Sequence, residues 1–469
     1  MRITPFGAAG GVTGSCYYLT TKKAKILVDC GIFQGTSITE AQNRVSPSID
    51  VVGLHSIILT HAHLDHCGRL PLFVKAGFCG PIFATPSTIE VAKLILLDAA
   101  HIQETDTLRA NRRRARALRK MRDPLFTTED VQRVFPLFQP VAYEELTVAG
   151  TGIKFKFVDA GHLLGSASVE IFVNDAGVRK SVLFSGDLGN YDSPIMRDPA
   201  KISDCDFDMV FVESTYGDRD HRTLEATVHE FLELIRNAIK RSGKVMIPTF
   251  SVGRAQQILF HLGEFFAAKK IPRVPVYLDS PMAIKASRLY KKYFTTIDER
   301  FCDPKVQKML KLGLRSLKIC ETGEESRALN DKPGPFIVLA GAGMCNGGRI
   351  LHHFRHGLCK PENTVIICGY QAEGSLGRML VEGKKRVRIY GEDVGVAATV
   401  CNLGGFSAHG GQSELLRWLQ PICQRSRGHR PRVVVIHGEN KQREALAEQI
   451  HVRFGIRPVL PFLGEAILL

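Results

Sequence analysis

His61, His63, Asp65 and His66 fall within six residues, directly after the apolar stretch 56–60 (SIILT). Neutral imidazole and carboxylate are good donors for zinc-like ions. One tight loop cannot easily wrap all four around a single ion. Dividing them relieves the crowding, with His61 and His63 serving one ion and Asp65 and His66 a second. A single histidine after a strand is usually structural; four donor residues at this spacing point to metal.

Further donors stand at matching places. The stretches 25–29 (KILVD), 154–159 (KFKFVD), 168–173 (SVEIFV), 181–185 (SVLFS), 209–213 (MVFVE) and 432–436 (RVVVI) read as strands from their β-branched and aromatic content. His162, Asp187 and His437 each follow one of them closely, and Asp29 ends another. Ends of neighbouring strands converge, so residues distant in the chain can meet there. Asp29 fits either a ligand or, better, an outer carboxylate that orients an imidazole.

The rhythm changes near Gly217. Strand, glycine-containing loop and helix recur in KVMIPTFSVGRAQQILFHL, VPVYLDSPMAIKASRLYKKY, PFIVLAGAGMCNGGRILHHF and TVIICGYQAEGSLGRML. Such βα units predict a parallel sheet flanked by helices. After Gly391 the first rhythm returns, with strands at 396–401 and 432–436 and a helix at 413–419. The expected domains are therefore 1–216 and 396–469 for a first body, with 217–395 inserted into it.

Among 469 residues the formal net charge is +15, which favours polyanionic partners such as nucleic acid. A cluster of cations, Arg109, Arg112, Arg113, Arg114, Arg116, Arg119, Lys120 and Arg122, reads as a basic helix, either a solvated face or an RNA contact. The 12 cysteines include no C-x-x-C pair. Buried, reduced thiols in a cytoplasmic enzyme fit better than a disulfide framework. No run approaches the ~18 apolar residues of a membrane span, and the N-terminus lacks a signal-peptide stretch, so no membrane partner is expected.

Asp29, the H-x-H-x-D-H loop, His162 in DAGHLLGS and Asp187 in FSGDLG resemble the metallo-β-lactamase superfamily. Glu213 in VESTYG, His409 in GFSAHG and His437 in VIHGE resemble its β-CASP ribonuclease branch. So do the stretches PTFSVGRAQQIL, LDSPMA, GAGMCNGGRILHHF and GYQAEGSLGR. The resemblance implies an α/β fold, an αββα sandwich carrying an inserted Rossmann-like parallel-sheet domain. It implies two Zn2+ per chain, one held by His61, His63, His162 and Asp187, the other by Asp65, His66, Asp187 and His437. Asp187 would bridge them, and His409 would sit nearby, oriented by Glu213. A histidine at 437 favours members that act on RNA over those that act on DNA. The chain begins at the first β-lactamase-type strand and ends soon after His437. This resembles the compact bacterial type related to the RNA 3′-end processing endonuclease, and it puts a homodimer built on a long C-terminal tail in doubt.

The chemistry expected is hydrolysis of RNA phosphodiester bonds, read as single-stranded and cut as an endonuclease or from the 5′ end. Attack comes from a metal-bridging hydroxide, with His409, Glu213, Asp65 and Asp187 as the catalytic groups. Ser375 and Arg378 in EGSLGR, Ser407 beside His409, and Arg349 after NGG are candidate phosphate contacts, because glycine-rich loops and helix starts suit anions. The alternatives are a hydrolase of thioesters or lactones, a DNA nuclease, and an inactive scaffold in RNA processing. The charge and the size of the insertion oppose the first, and the filled ligand positions oppose the last.

Overall fold

The computed structural model describes residues 1–297, 299–369, 371, 374–424 and 430–469. Tyr370, Ala372 and Glu373 of the GYQAEGSLGR stretch lie outside the described residues. The chain forms two compact units. The first comprises Met1–Ser193, Arg197–Asp220 and His409–Leu469, and the second Pro194–Met196 and His221–Ala408.

Two sheets build the first unit. One contains β1 (Arg2–Pro5), β2 (Tyr17–Thr20), β3 (Lys25–Val28), β4 (Ser56–Ile58), β5 (Ile82–Ala84), β6 (Phe138–Pro140) and β21 (Ile467–Leu468), in the order β21-β1-β2-β3-β4-β5-β6. The other contains β7 (Thr147–Gly150), β8 (Ile153–Asp159), β9 (Ala167–Asp175), β10 (Val178–Phe184), β11 (Met209–Val212) and β20 (Arg432–Val435), in the order β20-β11-β10-β9-β8-β7. Strand alternation sorts the side chains. Ile26, Val28 and Ile58 of the first sheet share a core with Phe155, Phe157, Phe184 and Phe211 of the second. The Phe184 and Phe211 rings stack 4.5 Å apart at 12°. Val158, Leu183, Val210 and Val433 point the other way, into a core with the helices Gln412–Cys423 and Asn440–Phe454. The long helix Pro86–Arg116 lies against β6 of the first sheet and against the helix Thr128–Val134, which packs in turn on the helix Leu70–Lys75. The layers are αββα.

The second unit is a parallel sheet. Its strands are β12 (Lys244–Pro248), β13 (Val276–Asp279), β14 (Leu317–Ile319), β15 (Phe336–Ala340), β16 (Thr364–Ile367) and β19 (Thr399–Asn402). They run in the order β14-β13-β15-β12-β16-β19. A small hairpin, β17 (Arg386–Ile389) with β18 (Glu392–Gly395), lies outside that sheet. Every residue of β12 and β15 is buried, as expected for central strands covered on both faces. Apolar cores on the two faces are completed by helices such as Arg254–Ala267 and Ile350–Gly357. The layering is Rossmann-like, but the strand order is not that of a dinucleotide-binding domain, since β15 lies between β12 and β13.

One expected boundary is corrected. The strand read at 396–401 does not return the chain to the first unit. It is β19, paired in parallel with β16 at the edge of the second unit's sheet. The chain rejoins the first unit at His409. Parallel edge pairing is set by contacts distant in sequence, and no local pattern announces it. At the other crossing Asp220 stays with the first unit, where its carboxylate accepts from the Ser413 amide (2.7 Å) and hydroxyl (2.6 Å). Among the described residues no helix is long and apolar enough to cross a membrane.

Candidate metal centre

Parallel pairing brings the donors together. β3 and β4 run side by side, so Asp29 and the loop that starts at Thr60 leave the same end of one sheet. β10, β11 and β20 are likewise parallel neighbours, and from their ends come Asp187, Glu213 and His437. His162 sits in the loop between β8 and β9. Two of these residues lie in the left-handed backbone region, Asp29 at φ 62° and His437 at φ 48°. Non-glycine residues there are strained, and such strain gathers at functional sites. Close backbone approach also matters. A Cβ on Gly31 would stand 1.5 Å from the Asp65 carbonyl oxygen, so only glycine lets this loop lie against the donor loop.

The side chains form two sets that share one carboxylate. In the first, His61 Nε2 and His162 Nε2 lie 3.1 and 3.2 Å from His63 Nδ1. They lie 3.4 and 3.7 Å from Asp187 Oδ2. In the second, His66 Nε2 and His437 Nε2 are 3.2 Å apart, and His437 Nε2 is 3.5 Å from Asp65 Oδ2. The other Asp187 oxygen, Oδ1, lies 3.3 Å from His66 Nε2 and 3.5 Å from His437 Nδ1.

The distances of the first set fit metal ligation, as do those from His66 Nε2 to His437 Nε2 and to Asp187 Oδ1 in the second, where Asp187 faces Nδ1 of His437 rather than Nε2. Four donors about 2.05 Å from a tetrahedral ion stand about 3.3 Å from one another. Both Asp187 oxygens are buried without a hydrogen-bond partner. A buried carboxylate left so is costly unless something else neutralises it. The protonation states of His61 and Asp187 agree. Burial, then the charges of neighbouring imidazoles, hold His61 well below the ordinary imidazole value, which leaves its lone pair available. Burial opposes ionisation of Asp187, but the surrounding imidazolium charges win and hold it well below the usual carboxylate range.

An outer layer fixes the rings. Asp29 Oδ2 is 2.7 Å from His66 Nδ1, and Asp29 Oδ1 accepts from the Thr60 amide (2.8 Å) and hydroxyl (3.0 Å). Thr60 Oγ1 is also 3.1 Å from His61 Nδ1, and Thr215 Oγ1 is 3.2 Å from His437 Nδ1. Asp29 is legible in the sequence as a strand-end carboxylate; the two threonines are not. Their signal was position, Thr60 immediately before His61 and Thr215 two residues after Glu213, yet threonine at a strand end is too common to single out.

His409 stands beside both sets. Its Nδ1 lies 3.1 Å from Glu213 Oε1 and 3.9 Å from Asp187 Oδ2, and its side chain is 20% exposed. Burial would lower its pKa, but the Glu213 carboxylate, by charge and hydrogen bond, together with Asp187 and Asp65, raises it to about 9.

The expected phosphate contacts belong to the second unit. Arg349 is held by groups of its own unit. Its guanidinium donates to Asp279 Oδ1 (2.7 Å) and to the carbonyls of Cys320 and Glu321 (both 2.9 Å). Asp279 is fully buried and also accepts from Ser326 (2.6 Å), with His353 Nε2 at 2.7 Å, so Arg349 is part of a structural network. Arg378 pairs with Glu382 at 2.7 Å on an exposed helix turn. The Ser375 hydroxyl caps that helix by accepting from the Arg378 amide (3.2 Å). Ser407 is buried two residues before His409. All 12 cysteines are free thiols, but Cys79, Cys302 and Cys359 are exposed rather than buried.

Residues 9–241 match the model of the metallo-beta-lactamase superfamily, 255–380 that of the Beta-Casp domain, and 393–461 that of the Zn-dependent metallo-hydrolase RNA specificity domain. Ribonuclease TTHA0252 of Thermus thermophilus is 40% identical over 467 residues, covering all of both chains. An RNase J-like protein of Methanocaldococcus jannaschii is 30% identical over 97% of this chain and 96% of its own. Transcription termination factor FttA of Methanosarcina mazei is 29% identical over 97% of this chain and 70% of its own. A crystal structure of a protein of unknown function from Enterococcus faecalis is alike in fold, with a TM-score of 0.55 at 14% identity over 100% of this chain and 99% of its own. The chain belongs to the β-CASP ribonuclease family of the metallo-β-lactamase superfamily.

Proposed function

We propose that this protein is a cytoplasmic ribonuclease that hydrolyses phosphodiester bonds of single-stranded RNA, chiefly as an endonuclease, with two zinc ions. Membership of the superfamily carries divalent-metal binding, and the match of residues 393–461 to an RNA specificity domain carries RNA binding. The observation that supports two ions is the division of Asp187, whose Oδ2 faces His61 and His162 while Oδ1 faces His66 and His437. His61, His63, His162 and Asp187 would hold one ion, and Asp65, His66, His437 and Asp187 the other. When bound, such a pair neutralises the scissile phosphate, clamps the attacking and leaving oxygens, and lowers the pKa of water so that a nucleophile exists near neutral pH.

The remaining work falls to the protein. Asp29, Thr60 and Thr215 lock ring orientations, so that the donor nitrogens are already in place before substrate arrives. Asp187 and Asp65 bring negative charge that the cations offset. His409, kept protonated by Glu213, gives its proton to the leaving ribose oxygen as the P–O bond breaks. The free thiols suit a reducing compartment.

Incubation of end-labelled RNA with purified protein, with and without a chelator, tests the reading. Internal fragments that disappear on chelation and return with zinc are expected. Cleavage indifferent to the chelator, or none from zinc-loaded protein, would overturn it. Release of terminal nucleotides alone would replace the endonuclease mode with a 5′-exonuclease mode.

A further inference from the structure

The long helix Pro86–Arg116 changes character midway. Its buried residues run from Thr88 to Ala100, and none follows. From residue 101 to 125 no side chain is buried. Helices in proteins are held mainly by burying one face, so a helix that continues past its core needs another reason. The chain then folds back and is pinned. Asn111 donates to the Arg122 carbonyl (2.8 Å) and accepts from the Arg122 amide (3.0 Å), and Arg114 donates to the Lys120 carbonyl (2.6 Å).

Residues 109–122 carry eight cations and no acid, more than half of the chain's net +15. Arg109, Arg112, Arg113 and Arg116 fall at i, i+3, i+4 and i+7, one stripe along the helix. Like charges at these spacings destabilise a helix. Arg109 has an exposed pair with Asp106 at 3.5 Å; among the described residues Arg112, Arg113, Arg116, Arg119, Lys120 and Arg122 have no acidic partner. The helix dipole favours cations in the last turn, which accounts for Arg113, Arg114 and Arg116. It does not account for Arg109 and Arg112, or for the three cations beyond the helix.

The arm is remote from the metal centre. At the other end of the helix, the hydroxyls of Thr85 and Thr88 donate to the Gly165 carbonyl (2.8 and 2.7 Å) in the loop that carries His162. At 1.5 Å per residue, Arg109 to Arg116 lie about 35–45 Å along the axis from that end. We propose that residues 109–122 form a docking arm for the RNA backbone, which holds a long substrate by its phosphates without reading its sequence. The proposal rests on the reading of RNA as substrate. Guanidinium groups match phosphate geometry, and the segment has no aromatic ring on which a base could stack. A membrane surface fits less well. Interfacial helices need a continuous apolar face, whereas the side opposite the stripe offers Ala110, Asn111, Arg114 and Ala115, and the exposed apolar residues Leu108, Leu118 and Met121 stand singly among the cations.

The test compares wild-type protein with a variant carrying Arg109→Gln, Arg112→Gln, Arg113→Gln and Arg116→Gln. Binding to labelled homopolymeric single-stranded RNA is measured in chelator across a salt series. The variant should bind at least about tenfold more weakly at low salt, and its log–log salt slope should be shallower by about 2 to 3. Wild-type affinity should rise with RNA length more than the variant's does. Lysine at the same four positions should restore most of the loss, and circular dichroism should show unchanged helix content. Equal affinity and equal slope for the two proteins would overturn the arm. So would wild-type binding to phosphatidylglycerol vesicles that is tighter than to RNA and lost in the variant, which would make the partner a membrane. Because binding is read in chelator, failure of the cleavage reading shows separately in the metal-loaded assay and leaves this result standing.

Discussion

Glu213 Oε1 lies 3.1 Å from His409 Nδ1 and also accepts the Leu188 amide at 2.8 Å, so a fully buried carboxylate ties the histidine to the strand end that carries Asp187. Burial alone would lower the His409 pKa; Glu213 is the chief reason it stands at about 9 instead. The acid form is present below that value and lost as pH rises through it. Glu213→Gln should move the alkaline limb of the kcat profile toward lower pH, and His409→Ala should cut turnover at least ~10²-fold with metal content retained. A pH–rate profile of each variant checks this. An alkaline limb that stays in place in Glu213→Gln removes His409 as the acid.

Metal binding should release protons. Burial lowers the pKa of His66, but the charges of Asp187 and Asp29 outweigh it and hold the imidazole well above its ordinary value. An ion taken at Nε2 displaces that proton, so affinity should fall as the pH drops. Asp29→Asn removes one source of the shift and the acceptor that orients the ring. It should weaken metal affinity by roughly 10- to 100-fold. Zinc titration calorimetry in two buffers of different ionisation enthalpy reads both effects.

Arg349 is expected to matter for stability rather than for substrate. Arg349→Ala would leave the buried Asp279 carboxylate with Ser326 and His353 alone, costing about 2–4 kcal/mol in urea unfolding. A raised KM for RNA with unchanged unfolding would return Arg349 to the substrate contacts.

Asp159 gives a pH dependence of stability. Burial raises its pKa to about 6, against partial relief from the Gly161 amide and the Arg197 charge. A raised acid contributes stability that is present below its unfolded value near 3.8 and lost as pH rises through about 6. Its share is on the order of 1–2 kcal/mol, since the side chain keeps some contact with water. Asp159→Asn should flatten the decline between those two pH values in thermal unfolding, and an unchanged decline would place its origin elsewhere.

The donor set was legible because metal chemistry demands rare residue types, and the strands before them show their β pattern locally. His61, His63, His162 and Asp187 meet in one cluster, Asp65, His66 and His437 in another, and Asp187, Glu213 and His409 in a third. What escaped depended on partners far along the chain. Nothing near Arg349 reveals that Asp279, 70 residues earlier, accepts from its guanidinium. Nothing in VAATVC tells an edge strand of the second unit from a strand of the first. Thr60 and Thr215 act through hydroxyls that many loop threonines share. The cationic arm was visible as composition, but its fold-back through Asn111 and Arg122 was not.

Metal content of purified, zinc-equilibrated protein, measured by mass spectrometry, bears most directly on the central claim that Asp187 joins two ion sites. Two ions per chain are expected in the wild type, about one in His437→Ala, and fewer than one in Asp187→Asn. A wild-type content of one ion or none, or an Asp187→Asn variant that still holds two, would contradict it.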